Sequence, residues 1–259
     1  MRLKLFLRRI GPHNRLNLNY AYYLSSWLYR VLAQGDQAFA TWLHEQGYRL
    51  DGRQFRLFSF SQLDARPFSI QGHCLQLNGP GAWLELGFCV HEAAGHFLQG
   101  LFEQQTFTLG DAQQRVEFQV ESVEILPTPT FTDGWQRGRA LGPICVSLTR
   151  GPGEPVEYLA PDHPGYVDRL HQTLCSKWQS YQQTLGLSAT EPEGDFDLRV
   201  TSRPRSRLIA IAPGTERQTK VRGFLYDFDL RCSAAWKQFL WQTGLGEKNS
   251  MGFGLFACR

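Results

Sequence analysis

From Arg2 to Ile10 the chain alternates, with Leu3, Leu5 and Leu7 on one side and Lys4, Phe6 and Arg8 on the other. A period of two marks a half-buried strand, and Gly11-Pro12 ends it. Residues 20–33 change period. Their apolar positions 20, 24, 27, 28, 31 and 32 share one face of a helix. Asp36 reads as the N-cap of a second helix, Gln37–Gln46, closed by Gly47. Gln54–Ser61 reads as a strand. Ser69–Asn78 and Trp83–Val90 read as two more, joined by the turn Gly79-Pro80-Gly81. Residues 91–104 fit a helix, and Arg115–Leu126 fits a strand.

Pro127-Thr-Pro-Thr-Phe-Thr-Asp-Gly134, rich in Pro and Thr near the midpoint, marks a domain boundary. The order of elements then starts again. Ile144–Thr149 reads as a strand and 164–186 as a long helix with Val167, Leu170, Leu174, Trp178, Tyr181 and Leu185 at helical spacing. Phe196–Thr201, Leu208–Ala212 and Val221–Leu230 read as strands. Ser233–Thr243 is a helix capped by Ser233, and Phe253–Cys258 is a final strand. Each half approximates β-α-β-β-α-β with some extra strand. The economical architecture is α+β: two tandem ferredoxin-like (RRM-like) domains over 1–128 and 135–259, antiparallel sheets with helices on one face. The repetition lies in element order alone, with no repeated sequence.

Composition narrows the class. The 259 residues are 42% hydrophobic and 20% charged, which suits a packed core and excludes disorder and collagen-like repeats. No apolar run is long enough to span a membrane, so no membrane partner is expected. Met1-Arg-Leu-Lys-Leu-Phe-Leu-Arg-Arg starts like a signal peptide. Its apolar part is short and broken by charge, and no small-residue cleavage site follows, so a cytoplasmic protein is expected. Cysteines 74, 89, 145, 175, 232 and 258 contain no Cys-x-x-Cys. They read as buried, reduced thiols rather than a zinc or redox site. The net charge of +3 is segregated. Residues 1–66 hold ten Lys and Arg against four Asp and Glu, residues 67–198 six against sixteen, and residues 199–259 eleven against four. If the basic ends meet, they form a surface for a polyanion; solvated faces are the competing account.

Four constellations could carry chemistry. His91-Glu-Ala-Ala-Gly-His96 resembles a zinc-protease helix with one residue too many. At i, i+5 its histidines point about 140° apart, so no metal site is expected. Gly244-Leu-Gly-Glu-Lys-Asn-Ser-Met-Gly-Phe-Gly254 combines four glycines with Lys248, Asn249 and Ser250. Its spacing fits neither a P-loop nor a dinucleotide loop. Gly246 and Gly252 would let backbone N–H groups converge on a phosphate, while an unliganded turn would use the same glycines. His44 closes its predicted helix, where the dipole favours imidazolium, with Tyr29 on the helix before and Arg56 on the strand after. A histidine, a phenol and a fixed cation can cleave RNA without a metal or cofactor, because RNA carries its own 2′-OH nucleophile. A helix-capping surface histidine is the competing reading. The stretch 199–231 sets Arg199, Arg203, Arg205, Arg207, Arg217, Lys220, Arg222 and Arg231 against three acids, which suits phosphates or a solvated hairpin.

Together these residues resemble one family, the CRISPR-associated endoribonucleases of the RAMP superfamily that process precursor CRISPR RNA. The C-terminal Gly-Leu-Gly-Glu-Lys-Asn-Ser-Met-Gly-Phe-Gly is similar to that family's glycine-rich signature. Leu18–Tyr29, Phe39–Gly47 and Phe55–Ser61 are similar to its N-terminal segments. The middle, about 65 to 240, agrees only in element order and length. The resemblance implies tandem ferredoxin-like domains and CRISPR repeat RNA as substrate. It implies metal-free cleavage to a 2′,3′-cyclic phosphate and a 5′-hydroxyl. His44 matches the family's histidine and Tyr29 its tyrosine, while Arg56 falls where some members have lysine. Arginine keeps the cation but is no base at neutral pH. His13, in the loop before the first helix, is the reserve histidine. The glycine-rich loop and the basic stretch would hold the RNA. The resemblance leaves three matters open: an RNA-binding subunit that cuts nothing, an effector complex as partner, and a homodimer.

Overall fold

Leu3, Leu5 and Leu7 are buried as the alternation requires, in a strand that runs Arg2–Ile10 at the centre of a sheet. The structure, a computed structural model, describes every residue except 150, 152, 153, 188–193 and 217, so Arg217 of the basic stretch lies outside the described residues. The sheet has the order Phe58–Phe60, Gly81–Phe88, Arg2–Ile10, Arg115–Ile125, Thr106–Gly110, with every neighbour antiparallel. The first strand lies between the third and fourth of the β-α-β-β-α-β order, with the second at the edge. That is the ferredoxin-like arrangement, and Thr106–Gly110 adds a fifth strand. Helices α1 (Tyr20–Gly35) and α3 (His91–Glu103) pack together, and α2 (Gln37–Glu45) leans on α1. Trp27 of α1 stacks on Phe107 with centroids 3.9 Å apart and meets Phe97 of α3 edge-on at 6.3 Å.

The α1–α3 crossing depends on two glycines. A Cβ on Gly100 would stand 1.9 Å from the Val31 carbonyl oxygen, and one on Gly35 would stand 1.9 Å from that of His96. Neither obstacle is a flexible side-chain end, so the helices would have to separate. Gly100→Ala is expected to lower stability by about 1–3 kcal/mol, read from urea unfolding.

The second sheet repeats the order with Asp197–Val200, Asp227–Cys232, Gly134–Ala140 and Phe256–Cys258, joined to α4 (Tyr166–Thr184) and α5 (Ala234–Thr243). The hairpin Arg205–Ile211 with Thr219–Leu225 is inserted between its second and third strands. Ser233 caps α5 by accepting from the Trp236 amide, and Asp36 caps α2 by accepting from Phe39 at 2.7 Å. Both caps stand where the chain pattern places them.

Several strands differ from the pattern. Gln54–Ser61 is not one strand. Asp51-Gly52, both at positive φ, forms a two-residue hairpin turn that folds Arg53–Phe55 back on Tyr48–Leu50. Leu57 at φ 51° then redirects the chain into Phe58–Phe60. Ser69–Asn78 is likewise a hairpin, Phe68–Gln71 with Cys74–Leu77, turned at Gly72 and paired with Arg15–Asn17 in a separate small sheet. Gly79-Pro80-Gly81 therefore links two sheets rather than two neighbouring strands. Val221–Leu230 breaks at Tyr226, whose buried hydroxyl bonds that of Tyr166 at 2.7 Å. The opening strand of the second half is Gly134–Ala140, not Ile144–Thr149. Its inward positions are Gln136, Gly138 and Ala140, so no apolar alternation betrays it. Gly138 is required because a Cβ there would meet the Phe228 ring at 2.6 Å. Of Ile144–Thr149 only Ser147–Leu148 is a strand, paired with Glu157–Tyr158, while Ile144 and Cys145 make isolated bridges.

The halves are locked face to edge. A Cβ on Gly87 would lie 2.3 Å from the Gln242 carbonyl oxygen, so α5 sits directly on the first sheet. Arg2, 2% exposed, crosses the junction. It donates to the carbonyls of Phe256 at 2.8 Å and of Trp241, and its guanidinium lies 4.3 Å from the Trp241 ring centroid. None of the six cysteines is in a disulfide; Cys89, Cys145 and Cys232 are buried, and Cys74, Cys175 and Cys258 are half-buried. No described helix is long and apolar enough to cross a membrane.

Candidate active site

Tyr29, His44 and Arg56 meet because α2 is short and sharply ended. Gly47 at φ 57° stops the helix, and a Cβ there would fall 2.6 Å from both the Phe55 carbonyl oxygen and the Arg56 guanidinium. Only glycine lets the returning chain pass so close. Arg56 then reaches back beneath α2, donating to the His44 carbonyl and to Gln54 Oε1 at 3.2 Å. His44 is exposed, one residue before the end of α2. Its ring meets that of half-buried Tyr29 edge-on at 5.1 Å, and Phe58 backs Tyr29 at 5.6 Å. Burial pushes the Tyr29 phenol above its ordinary range. Arg56 and hydrogen bonds from Ser250 and Arg56 oppose that rise only in part, so the hydroxyl keeps its proton at neutral pH.

Ser250 belongs to the glycine-rich loop, which folds across α1 from the far end of the chain. Ser25 of α1 donates to the Ser250 carbonyl at 2.8 Å. The loop's glycines serve its own packing. A Cβ on Gly254 would lie 1.9 Å from the Leu245 carbonyl oxygen, one on Gly246 would lie 2.3 Å from that of Cys145, and one on Gly252 would lie 2.8 Å from the Phe60 ring. Asn249 clasps the loop, its amide donating to the carbonyls of Leu245 at 3.0 Å and Phe253 at 3.1 Å. With both N–H bonds engaged, it orders the loop rather than offering donors outward. Lys248, exposed at φ 59°, and Ser250 are what the loop presents.

These groups line one cleft of about 1040 Å³ between the halves. Of the candidates from the sequence, Tyr29, His44, Arg56, Gly246, Lys248, Asn249 and Ser250 line it. Gly252 instead packs under the loop. Arg203, Arg205, Arg207, Lys220 and Arg222 stand exposed outside the lining, and Arg203 and Arg205 border a smaller pocket beside Arg139 and Tyr226. The hairpin that carries most of them abuts the site's edge. Ile209 and Val221 pack on Ala21 and Phe253, and the Ala210 amide donates to Asn19 Oδ1 at 3.2 Å. His13 lies in a separate pocket with Arg15 and Arg115. His96 packs 4.9 Å from the Phe39 ring and 3.7 Å from Glu92. Among the described residues no group of three His, Cys, Asp or Glu side chains is placed to hold a metal.

Part of the cleft's lining escaped the sequence reading. Arg53, Arg169, Thr173, Lys177 and Ser147 line the same cleft. Arg169 donates to the Ser147 carbonyl at 2.8 Å, and Ser147 donates to Glu247 at 2.6 Å. Two of these cations come from the acidic middle of the chain, so regional charge counts conceal them. Lys177 did leave a signal: it stands at helical spacing in the apolar stripe of α4, between Leu174 and Tyr181.

Two family models match. One for CRISPR-associated protein Cas6, C-terminal, covers residues 126–258, and one for its N-terminal part covers residues 15–124. The chain belongs to the Cas6 family. The CRISPR-associated endoribonuclease Cas6 1 of Methanocaldococcus jannaschii is 26% identical over 243 residues, 92% of this chain and 85% of that one. The CRISPR-associated endoribonuclease Cas6 of Pyrococcus furiosus is 24% identical over 258 residues, 96% of this chain and 88% of that one. Among solved structures, one described as a RAMP protein binding different RNA substrates superimposes with a TM-score of 0.81 at 19% identity, covering 100% of this chain and 99% of that one. A Cas6-related protein of Pyrococcus furiosus gives 0.80 at 21%, covering 100% and 98%. These structural likenesses establish the tandem ferredoxin-like fold of this Cas6 chain.

Proposed function

We propose that this Cas6 chain is a cytosolic endoribonuclease that cleaves CRISPR repeat RNA within its precursor transcript, with residues 1–128 and 135–259 as its two domains. The observation that carries the reading is the convergence of His44, Tyr29, Arg56 and Ser250 in one cleft. The 2′-oxygen of the RNA attacks the adjacent phosphorus in line. A new P–O bond forms as the bond to the 5′-oxygen breaks, leaving a 2′,3′-cyclic phosphate and a 5′-hydroxyl. The proton of the 2′-OH must leave and the departing 5′-oxygen must gain one. His44, exposed to the cleft, moves a proton as acid or base. Arg56 remains charged and meets the negative charge that develops on the phosphate. The neutral Tyr29 hydroxyl, held between Arg56 and Ser250, orients a phosphate or sugar oxygen. No step requires a metal or cofactor, since the nucleophile is in the substrate and the cation is in the chain.

Lys248 and Ser250 would touch the RNA at the cleft. Arg203, Arg205, Arg207, Lys220 and Arg222 would guide its flanks along the hairpin, and Gly246, Asn249 and Gly252 would hold the loop that presents these contacts. In the same reading the processed RNA passes to an effector complex, and a second copy of the chain is a further partner.

The test is cleavage of end-labelled repeat RNA in EDTA, beside a substrate with a single 2′-deoxy sugar at the cut site. Wild type is expected to cut the first to a cyclic phosphate and leave the second intact. Cutting of the deoxy substrate, or a strict need for divalent metal, would sink the mechanism. Tight binding without cutting would make the chain an RNA-binding subunit.

A further inference from the structure

The cleft that holds His44 also holds a buried cation that the cleavage chemistry leaves unused. Lys177 of α4 is 3% exposed, yet it lines the cleft. Its ammonium donates to the Gly244 carbonyl at 2.6 Å and to Asn249 Oδ1 at 3.1 Å. Both partners are neutral, and both belong to the glycine-rich loop. Asn249 passes the constraint on through its own bonds to Leu245 and Phe253, and Ser250 is the next residue. One buried nitrogen thus organises the segment that sets Ser250 against Tyr29.

The charge is poorly compensated there. Burial pulls the Lys177 ammonium down to about 7, with Cys89 and Glu247 opposing more weakly. Cys89, at the end of strand Gly81–Phe88, is itself pushed up to about 12 by burial, so its thiol is neutral near pH 7. Glu247 on the loop is the acid that faces the lysine, and it is already engaged by Ser147. His44, Arg56 and Lys248 line the same cleft and add no negative charge.

We propose that Lys177 is a positioning residue whose ammonium clasps the glycine-rich loop, and that an RNA phosphate entering the cleft supplies the negative charge this buried cation lacks. This rests on the RNA-cleaving reading above. It adds a proton linkage at Lys177, which the variants below separate from any proton taken up elsewhere in the cleft. A phosphate nearby favours the charged lysine, so RNA binding above pH 7 draws a proton onto Lys177. Affinity accordingly falls as pH rises through that range.

The experiment is calorimetric titration of uncleavable 2′-deoxy repeat RNA into the full chain at pH 7.5, in two buffers of different ionisation enthalpy. Wild type is expected to take up protons on binding. Lys177→Met should weaken binding about tenfold, the effect of losing one charge-assisted contact, and should reduce the uptake. Lys177→Arg should bind near the wild-type level and also reduce the uptake, because guanidinium is already protonated. Circular dichroism checks folding. If the methionine variant does not fold, the arginine variant decides. Proton uptake equal to wild type in the folded variants would overturn the proposal. Failure of the wild-type chain to bind the RNA would instead overturn the functional reading.

Discussion

His44→Ala is expected to slow cleavage of repeat RNA by orders of magnitude while leaving the fold and RNA binding close to wild type. The expected fall in single-turnover rate is about 10²- to 10⁴-fold, the range for loss of a positioned proton-transfer group. The geometry separates the two effects. The imidazole is exposed at the end of α2, and its edge-on contact with Tyr29 is its packing link to the core. The bond from Arg56 goes to the His44 backbone carbonyl, which alanine keeps. Phe58 still backs Tyr29 on its other side. The measurement is a single-turnover time course in EDTA, paired with filter binding of the 2′-deoxy substrate. Undiminished cutting would remove His44 from the chemistry. His13 would inherit the role with difficulty, since it lies in a different pocket from Tyr29 and Arg56.

Arg2→Ala unfolds the junction between the halves at a cost of about 3–5 kcal/mol, the loss seen when one partner is removed from a buried ion pair. The side chain is 2% exposed and reaches from the first strand to the second half, where it meets the carbonyls of Trp241 and Phe256. Its counter-charge is Glu85, 3.5 Å away and itself mostly buried. Burial pushes the Glu85 carboxyl up and Arg2 pulls it down, so removing Arg2 leaves that carboxylate with less compensation. Alanine would also strand two buried carbonyls and expose the Trp241 face. Urea unfolding checks the loss. Arg2→Met is the informative companion: it restores apolar volume but leaves Glu85 unpaired, so it should recover part of the loss. Cleavage should fall with the alanine variant even where the protein remains folded, because the cleft lies between the units that Arg2 joins.

Helices were the most legible part of the chain. Asp36 and Ser233 are caps in the sequence and in the structure, because a cap is decided by bonds spanning three residues. Strands were legible where one face is apolar, as in Arg2–Ile10, and not where packing needs small residues. Gly134–Ala140 turns Gly138 inward because the Phe228 ring occupies the space a side chain would take, and no local pattern records Phe228. Asp51-Gly52 was a missed local signal rather than a tertiary surprise; it names a hairpin turn by itself.

The candidate site divides the same way. Tyr29, His44 and Arg56 lie on consecutive elements, and the short α2 ended by Gly47 brings them together with no help from the distant chain. The sequence by itself therefore determined the helices and their caps, the strands with one apolar face, and the grouping of Tyr29, His44 and Arg56, since hydrogen-bond period and side-chain burial act over a few residues. Tertiary structure alone decided what joins these three in the cleft. Ser25 meets Ser250 across 225 positions, and Lys177 reaches the glycine-rich loop from a helix in the acidic middle. The basic hairpin residues, grouped with the loop by charge, fall outside the cleft. Such meetings depend on how α5 and Arg2 seat one sheet against the other, and that fit of shapes and buried partners leaves no period in the chain.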